Sequence, residues 1–277
     1  MWFTENYDDK ASLGLAVKKK LHEEQSPFQK ITFWETEAFG TLLTLDDLVM
    51  CSEKDEFVYH EMITHIPLCS HSNPERILVV GGGDGGAIRE ILKHDSVKEA
   101  VLCEIDERVV RLSQQFLPST ASQLTDKRVT LAFEDGFEFL KKFENHFDLI
   151  ITDSSDPVGP GVALFQEEYY KLVKAALRPG GIMVSQSESP WFYADVMKNM
   201  TTAMCNVFNN VETYTAMIPL YPSGFWTMTA ASDAISLTDF DFERAEKIAQ
   251  QCKYYNPGIH LGALELPNFV KDIVKNR

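Results

Sequence analysis

Three carboxylates stand just past short apolar runs: Glu104 after Ala100-Val101-Leu102-Cys103, Asp135 after Val129–Phe133, and Asp153 after Phe147–Thr152. A carboxylate can accept hydrogen bonds from two hydroxyls, take a proton, or hold a cation. One such residue alone reads equally well as a solvated strand end. Three in series outline a site. Asp153 also opens the segment Asp153-Ser154-Ser155-Asp156-Pro157-Val158-Gly159-Pro160-Gly161, with two carboxylates three residues apart. Proline stiffens that loop and glycine permits its sharp turns. The same residue types make ordinary turns, so its position after an apolar run is what favours chemistry.

The run Gly81-x-Gly83-x-x-Gly86 fits the dinucleotide pattern, with Glu104 near the ribose-binding distance. Asp84 argues against a nicotinamide dinucleotide, because a carboxylate there would repel pyrophosphate. A nucleoside without phosphates, carrying a cationic chain, suits the loop better. The plainer reading makes the glycines a tight turn and Asp84 a helix cap. In a nucleoside pocket Glu104 would accept from two ribose hydroxyls and Asp135 from an adenine amino group. His60 and His65 are five apart, about 140° around a helix, so they do not form a zinc-protease pair and no metal is expected. Tyr59 and His60 read as pocket lining or as helix packing. The aromatic stretches Trp191-Phe192 and Phe225-Trp226 are expected in the core.

Elements must bring these residues together. Residues 1 to about 53 read as β, with Lys30–Trp34, Thr41–Leu45 and, after the Asp46-Asp47 turn signal, Leu48–Cys51 as strands. A helix is expected from Lys54 to about Ile66, ended by Pro67. Strands and helices then alternate: Arg76–Val80, Ala87–His94, Ala100–Cys103, Glu107–Phe116, Val129–Phe133, Phe147–Thr152, and Ile182–Gln186 after a turn at Leu177–Gly181. That alternation predicts a doubly wound α/β domain whose ligands bind beyond the carboxyl ends of the strands. The expected division is a small β-rich domain, 1–66, and a nucleotide-type domain, 67–277.

Composition narrows the function classes. The 277 residues carry 41 Asp plus Glu against 26 Lys plus Arg, a formal net charge of -15. That surface disfavours nucleic acid and attracts cations. Five scattered cysteines form no Cys-x-x-Cys pair, so neither a disulfide framework nor a zinc site follows. No signal peptide is apparent and the apolar runs are too short for a membrane span, so the cytoplasm is the expected location.

Taken together, these residues resemble the polyamine aminopropyltransferase (spermidine synthase) family over nearly the whole chain. The resemblance is carried by Glu53–Phe57 with Tyr59–Met62, the loop Gly81–Gly86, Glu104-Ile105-Asp106, and Asp135-Gly136. It continues through Asp153–Pro157 with Gly159-Pro160, Ile218-Pro219-x-Tyr221–Gly224, Lys253–Asn256 and Leu266-Pro267. It implies a Rossmann-like, methyltransferase-type catalytic domain, a β-rich N-terminal domain and a homo-oligomer, expected as a dimer. It implies decarboxylated S-adenosylmethionine as co-substrate, putrescine as the usual acceptor, and no prosthetic group. By motif, Gln29, Gly81, Gly83, Glu104, Asp135, Gly136 and Pro160 would hold the nucleoside side, and Asp84 the aminopropyl ammonium. Tyr59, His60, Asp153, Ser154, Ser155, Asp156, Gln186 and Tyr221 would surround the acceptor, with Trp2 helping to close the channel. Asp153 resembles the family's proton acceptor.

Two departures stand out. Asp46-Asp47 replaces the family's frequent Asp-Gly, and His60 stands where some relatives carry Gln. A protonated His60 would repel an amine, which bears on acceptor preference. The chemistry itself is demanding: with Lys as a proxy, deprotonating the acceptor amine at pH 7 costs about 4–5 kcal/mol. Asp153 is expected to take that proton, with Tyr59 orienting the amine. A putrescine N-methyltransferase using S-adenosylmethionine and a noncatalytic polyamine-binding protein remain alternatives.

Overall fold

The computed structural model describes residues 1–7, 11–155 and 159–275, with the side chains of 159 and 160 outside the description. The chain begins with β1 (Trp2–Tyr7), β2 (Ala11–Gln25), β3 (Lys30–Thr36), β4 (Thr41–Leu45) and β5 (Leu48–Ser52), an antiparallel meander paired in that order. β2 was not individually legible from composition, although Leu13, Leu15 and Val17 alternate along it as a half-buried strand requires. The β4–β5 turn places Asp46 at φ 50° and Asp47 at φ 66°, the paired left-handed conformation of a tight hairpin. Asp46 relieves part of that strain by accepting a hydrogen bond from the Lys30 amide at 2.8 Å.

The second layer system comprises α1 (Glu56–Ser70), β6 (Arg76–Gly81), α2 (Gly86–Ile91), β7 (Glu99–Cys103), α3 (Glu107–Phe116), β8 (Val129–Ala132), α4 (Gly136–Leu140) and β9 (Phe147–Asp153). It continues with α5 (Glu167–Ala176), β10 (Leu177–Gln186), α6 (Ala194–Cys205), β11 (Asn210–Met217), β12 (Phe225–Ser232), α7 (Phe242–Ala249), α8 (Pro257–Leu264) and α9 (Asn268–Lys275). The sheet order is β11-β12-β10-β9-β6-β7-β8, parallel from β10 to β8 with β11 and β12 antiparallel at one edge. Successive β6 residues feed opposite faces: Ile77 and Val79 pack in one core, Leu78 and Val80 in the other. Both faces are therefore covered by helices, which is why β6 and β9 carry the unbroken apolar stretches Ile77–Val80 and Leu149–Ile151.

Three expectations change. α1 passes through Pro67 to Ser70 although proline removes one helical hydrogen bond. Nearly every α1 residue is buried, so tertiary packing holds the helix past its local stop signal. The anticipated boundary at residue 66 consequently falls inside α1, whose Tyr59, Met62, Ile63 and Ile66 share a core with β6; the connection between the two sheets runs from Ser52 to Glu56. Leu177–Gly181 forms an irregular first half of β10, with Gly180 at φ 80°, instead of a free turn. Trp191 is 64% exposed against Phe269, whereas Trp226 is buried as expected.

The meander sits on the larger sheet through two contacts. Ile31, Phe33, Leu43 and Cys51 pack on Val109 and Leu112 of α3 and on Leu117 at its end, and Phe3, Leu15, Val17, Leu42 and Val49 pack around Leu220. It thereby roofs the carboxyl ends of the parallel strands.

Candidate active site

Between β6 and β9 the connections diverge to opposite directions along the sheet, and there the cleft opens. Gly81 pairs with Asp153 across these strands at φ +82°, and a Cβ on it would lie 2.2 Å from the Asp153 carbonyl oxygen. The Gly82 amide donates to that same oxygen at 2.8 Å. The glycine loop thus grips the backbone of Asp153 at close quarters. Beyond it lies a cavity of about 260 Å³, lined by the strand ends, the loop, α1 and the roof.

One end of the cavity is built on Glu104. Burial pushes its carboxyl up to about 7, assisted by the charges of Asp106 and Asp153 and opposed by the Asp106 amide, which donates to Oε1 at 2.9 Å. Gly83 lies so close that a Cβ there would be 3.1 Å from Glu104 Oε2. Asp106 caps α3 through the Arg108 amide, and its other oxygen accepts from Ser26 Oγ at 2.6 Å and Gln29 Nε2 at 3.1 Å. That contact fixes Gln29, from the roof, over the cavity. Asp135 caps α4, accepting from the amides of Phe137 (2.8 Å) and Glu138 (3.3 Å). Gly136 lets this turn pass β6, since its Cβ would meet Val80 Cγ1 at 2.4 Å.

The other end combines aromatic walls with carboxylates. Tyr59 Oη donates to Asp153 Oδ1 at 2.7 Å, while the buried Oδ2 has no hydrogen-bond partner among the described residues. Burial and the neighbouring Asp84 charge raise the Asp153 carboxyl to about 6, against the lowering influence of His60 and Tyr59. Tyr59 itself is pushed well above the usual phenol range by burial and by Asp153, so it is a hydrogen-bond donor. The rings of Tyr59, Tyr221 and Trp226 meet edge to face, and Tyr221 Oη donates to the Met50 carbonyl at 2.6 Å. Gln186 is held by a two-way exchange with Glu188, at 3.2 and 3.0 Å. Aromatic faces beside carboxylates suit an aliphatic chain bearing positive charge.

Asp84 joins the two ends. His60, Asp84 and Asp153 each offer an atom within 4.8 Å of the other two. Asp84 Oδ1 accepts from the Gly86 amide at 2.7 Å, a local turn bond just ahead of α2, whose N-cap is Gly85 and not Asp84, and it also meets His60 Nε2 at 3.2 Å.

Residues 56–241 match the spermine/spermidine synthase domain. The chain belongs to the spermine/spermidine synthase family. Its first 53 residues match the spermidine synthase tetramerisation domain. A polyamine aminopropyltransferase of Bacillus subtilis (strain 168) is 47% identical over 278 residues, with 99% of each chain covered. Another, of Thermoanaerobacter sp. (strain X514), is 44% identical, covering 99% of this chain and 98% of the relative. A spermidine synthase solved with the transition state analogue AdoDATO superposes with a TM-score of 0.98 at 38% identity, over 100% of this chain and 96% of the other. The spermidine synthase of Thermotoga maritima gives 0.96 at 37%, over 100% and 95%. The fold is thus the Rossmann-like, methyltransferase-type sheet with its small antiparallel N-terminal sheet.

In this spermine/spermidine synthase family member, Gln29, Tyr59, His60, Gly81, Gly83, Asp84, Glu104, Asp135, Gly136, Asp153, Ser154, Ser155, Gln186 and Tyr221 all line one cavity. Trp2 does not. It is 71% exposed on the edge strand, with its ring over Gly14, because Phe3, Glu5 and Tyr7 take the inward positions of β1. Asp156 lies outside the described residues. Pro160 falls in the 3₁₀ segment Gly159–Phe165, with its side chain outside the description. Sequence reasoning missed Glu5, Met50 and Trp226 as lining residues. The alternation Phe3-x-Glu5-x-Tyr7 carried the signal for Glu5. It also missed Glu56, which holds His60, and Arg89, which holds Glu56; the four-residue spacing from Glu56 to His60 on a helix pointed to the first pair.

Among the described residues, no helix is long and apolar enough to cross a membrane.

Proposed function

We propose that the protein transfers the aminopropyl group of decarboxylated S-adenosylmethionine to putrescine, giving spermidine and methylthioadenosine. One observation carries this reading: Asp153, with one oxygen that has no hydrogen-bond partner among the described residues, stands in the wall of a single cavity that it shares with Glu104, Asp84 and the aromatic rings of Tyr59, Tyr221 and Trp226. Glu104, Asp135 and Gln29 suit a nucleoside, and Asp84 suits the ammonium of its aminopropyl chain. The solved relative bound to AdoDATO and the named aminopropyltransferases support the same donor.

In this mechanism the acceptor lies along Tyr59, Tyr221 and Trp226, with its reacting nitrogen at Asp153 Oδ2. Asp153 takes the ammonium proton, and the freed lone pair attacks the carbon beside the sulfonium. The new C–N bond forms as the C–S bond breaks, and its electron pair returns to sulfur as the neutral thioether. The charge developing on nitrogen is then stabilised by the Asp84 carboxylate, which lies beside Asp153. Tyr59, donating to Oδ1, fixes the orientation of the carboxylate. The match of residues 1–53 to a tetramerisation domain supports a homo-oligomer and favours a tetramer over a dimer; light scattering of the purified protein measures the mass.

The test is incubation with putrescine and, separately, decarboxylated and ordinary S-adenosylmethionine, followed by mass measurement. An aminopropyl addition is expected. A methyl addition, or tight polyamine binding without product, refutes the proposal.

A further inference from the structure

His60 belongs to a buried chain of alternating charges that leads away from the cavity. Its Nδ1 lies 2.6 Å from Glu56 Oε2 and its Nε2 3.2 Å from Asp84 Oδ1. Glu56 is gripped in turn by Arg89, Nη1 to Oε1 at 2.9 Å and Nη2 to Oε2 at 2.8 Å. Arg89 Nε then donates to Glu90 Oε1 at 2.8 Å, and Glu90 meets His65 Nε2 at 2.9 Å. Such a chain is satisfied only when every member holds its partner. Gly86 makes room for it: a Cβ there would lie 2.2 Å from the His60 ring.

We propose that Glu56, clamped by Arg89, is a positioning residue that keeps His60 an imidazolium donating to Glu56 and Asp84 together, and so sets the charge that Asp84 presents to the donor's ammonium group. The argument follows from donor counting. A neutral imidazole has one N–H, whereas carboxylate oxygens face both ring nitrogens. Asp84 Oδ1 is then filled by His60 and the Gly86 amide, which leaves its second oxygen for a ligand. His60 in this state has no N–H for the acceptor amine, so its charge acts through Asp84. Around the ring stand Glu56 and Tyr59 from α1, Asp84 from the loop after β6, Gly86 at the start of α2, and Asp153 from β9, with Arg89 of α2 behind Glu56. Burial opposes the imidazolium, but Asp84 and Glu56 outweigh it and hold His60 well above the usual range. Burial likewise opposes the Glu56 charge, while His60 and Arg89 bring its carboxyl down to about 2.

The proposal rests on the donor reading above, and the test separates the two. Histidine ring carbons are labelled, the His60 signal is identified by its absence in His60→Gln, and the oligomer is titrated by NMR. Wild-type His60 is expected to stay protonated throughout pH 6–9. In Glu56→Gln the amide can donate to Nδ1 while neutral His60 still donates to Asp84, and the midpoint should fall by ~2 or more pH units. Calorimetry then compares the decarboxylated donor, without acceptor, to methylthioadenosine, which lacks the ammonium. Across pH 6–9 their affinity ratio should shift ~3- to 10-fold in favour of the donor in Glu56→Gln as His60 loses its charge. In wild type it should change only below about pH 7, where Asp153 protonates, and stay flat above that. A wild-type His60 that titrates below pH 7 overturns the proposal even if the variant fails to fold. So does an unchanged midpoint or a flat ratio in Glu56→Gln. Absence of donor binding in wild type would instead refute the functional reading, leaving the NMR result to stand by itself.

Discussion

Asp153→Asn should abolish most turnover while making the protein more stable. The substitution keeps the shape and lets the amide oxygen accept from Tyr59 Oη, now 2.7 Å from Oδ1, but it cannot take a proton. Loss of a general base in such a site lowers kcat by ~10²- to 10⁴-fold. The stability change has the opposite sign. The Asp153 carboxyl is held at about 6 in the fold, above its ordinary 3.8, because burial and Asp84 disfavour the charge. The native state therefore binds the proton more tightly than the unfolded chain, and stability falls as pH rises from about 4 through about 6. Above that window the ionised group costs at most ~3 kcal/mol, at 1.36 kcal/mol per pH unit. Water and ions in the cavity reduce that figure. Asn removes the cost, so Tm at pH 8 should rise by a few degrees, about 2 °C or more per kcal/mol for a chain of this size. Steady-state kinetics, differential scanning calorimetry and methylthioadenosine titration at pH 8 measure the three quantities. Near-normal turnover would remove Asp153 from the base role. A fall in Tm together with lost nucleoside binding would show that its role is structural, refuting the argument from burial.

Tyr59→Phe removes a hydrogen bond to a charged group, worth ~1.5–3 kcal/mol, so kcat should drop ~10- to 100-fold. Because that bond lowers the Asp153 carboxyl, the acid limb of the kcat–pH profile should also move to higher pH; an unmoved limb contradicts the assignment. Glu104, held at about 7 mainly by burial, loses its charge as pH falls, and a protonated carboxyl offers fewer acceptors to hydroxyls. Methylthioadenosine affinity measured by calorimetry should therefore weaken below pH 7 in wild type, and Glu104→Gln should bind at least ~10-fold more weakly with that pH dependence gone. Gly86→Ala drives a methyl group into the His60 ring, a clash that should cost ~1–3 kcal/mol in denaturant unfolding and disrupt the Asp84 contact; unaltered stability and donor affinity would argue that His60 relaxes freely.

Strand ends were easier to read than helix ends. β6, β7 and β9 are short, largely apolar and bounded by glycine or acid, because a parallel strand covered on both faces admits a polar residue only where a partner satisfies it, as the Glu75 and Arg76 amides satisfy Asp148. In α1 the reverse holds: its Pro67 is a local stop signal that burial on all sides overrides. The β1–β2 pair was obscured because each presents a polar face to water, and only the alternation of Phe3, Glu5 and Tyr7 marks the inner one. That alternation also decides that Trp2 points away from the cavity.

From the residues alone came the chemistry of the site: Glu104, Asp135 and Asp153 fall at the ends of strands, and strand ends in a doubly wound sheet share one edge. Residue type and local period are properties of contiguous chain, so these were accessible. What the tertiary structure decided was the state of each group. That Asp153 keeps one oxygen without a hydrogen bond among the described residues, that Asp84 shares an oxygen between His60 and Gly86, and that Arg89 steadies Glu56 all depend on segments tens of residues apart. Burial and charge pairing act through space over a few ångströms, and no spacing along the chain encodes which distant carboxylate will stand at that distance.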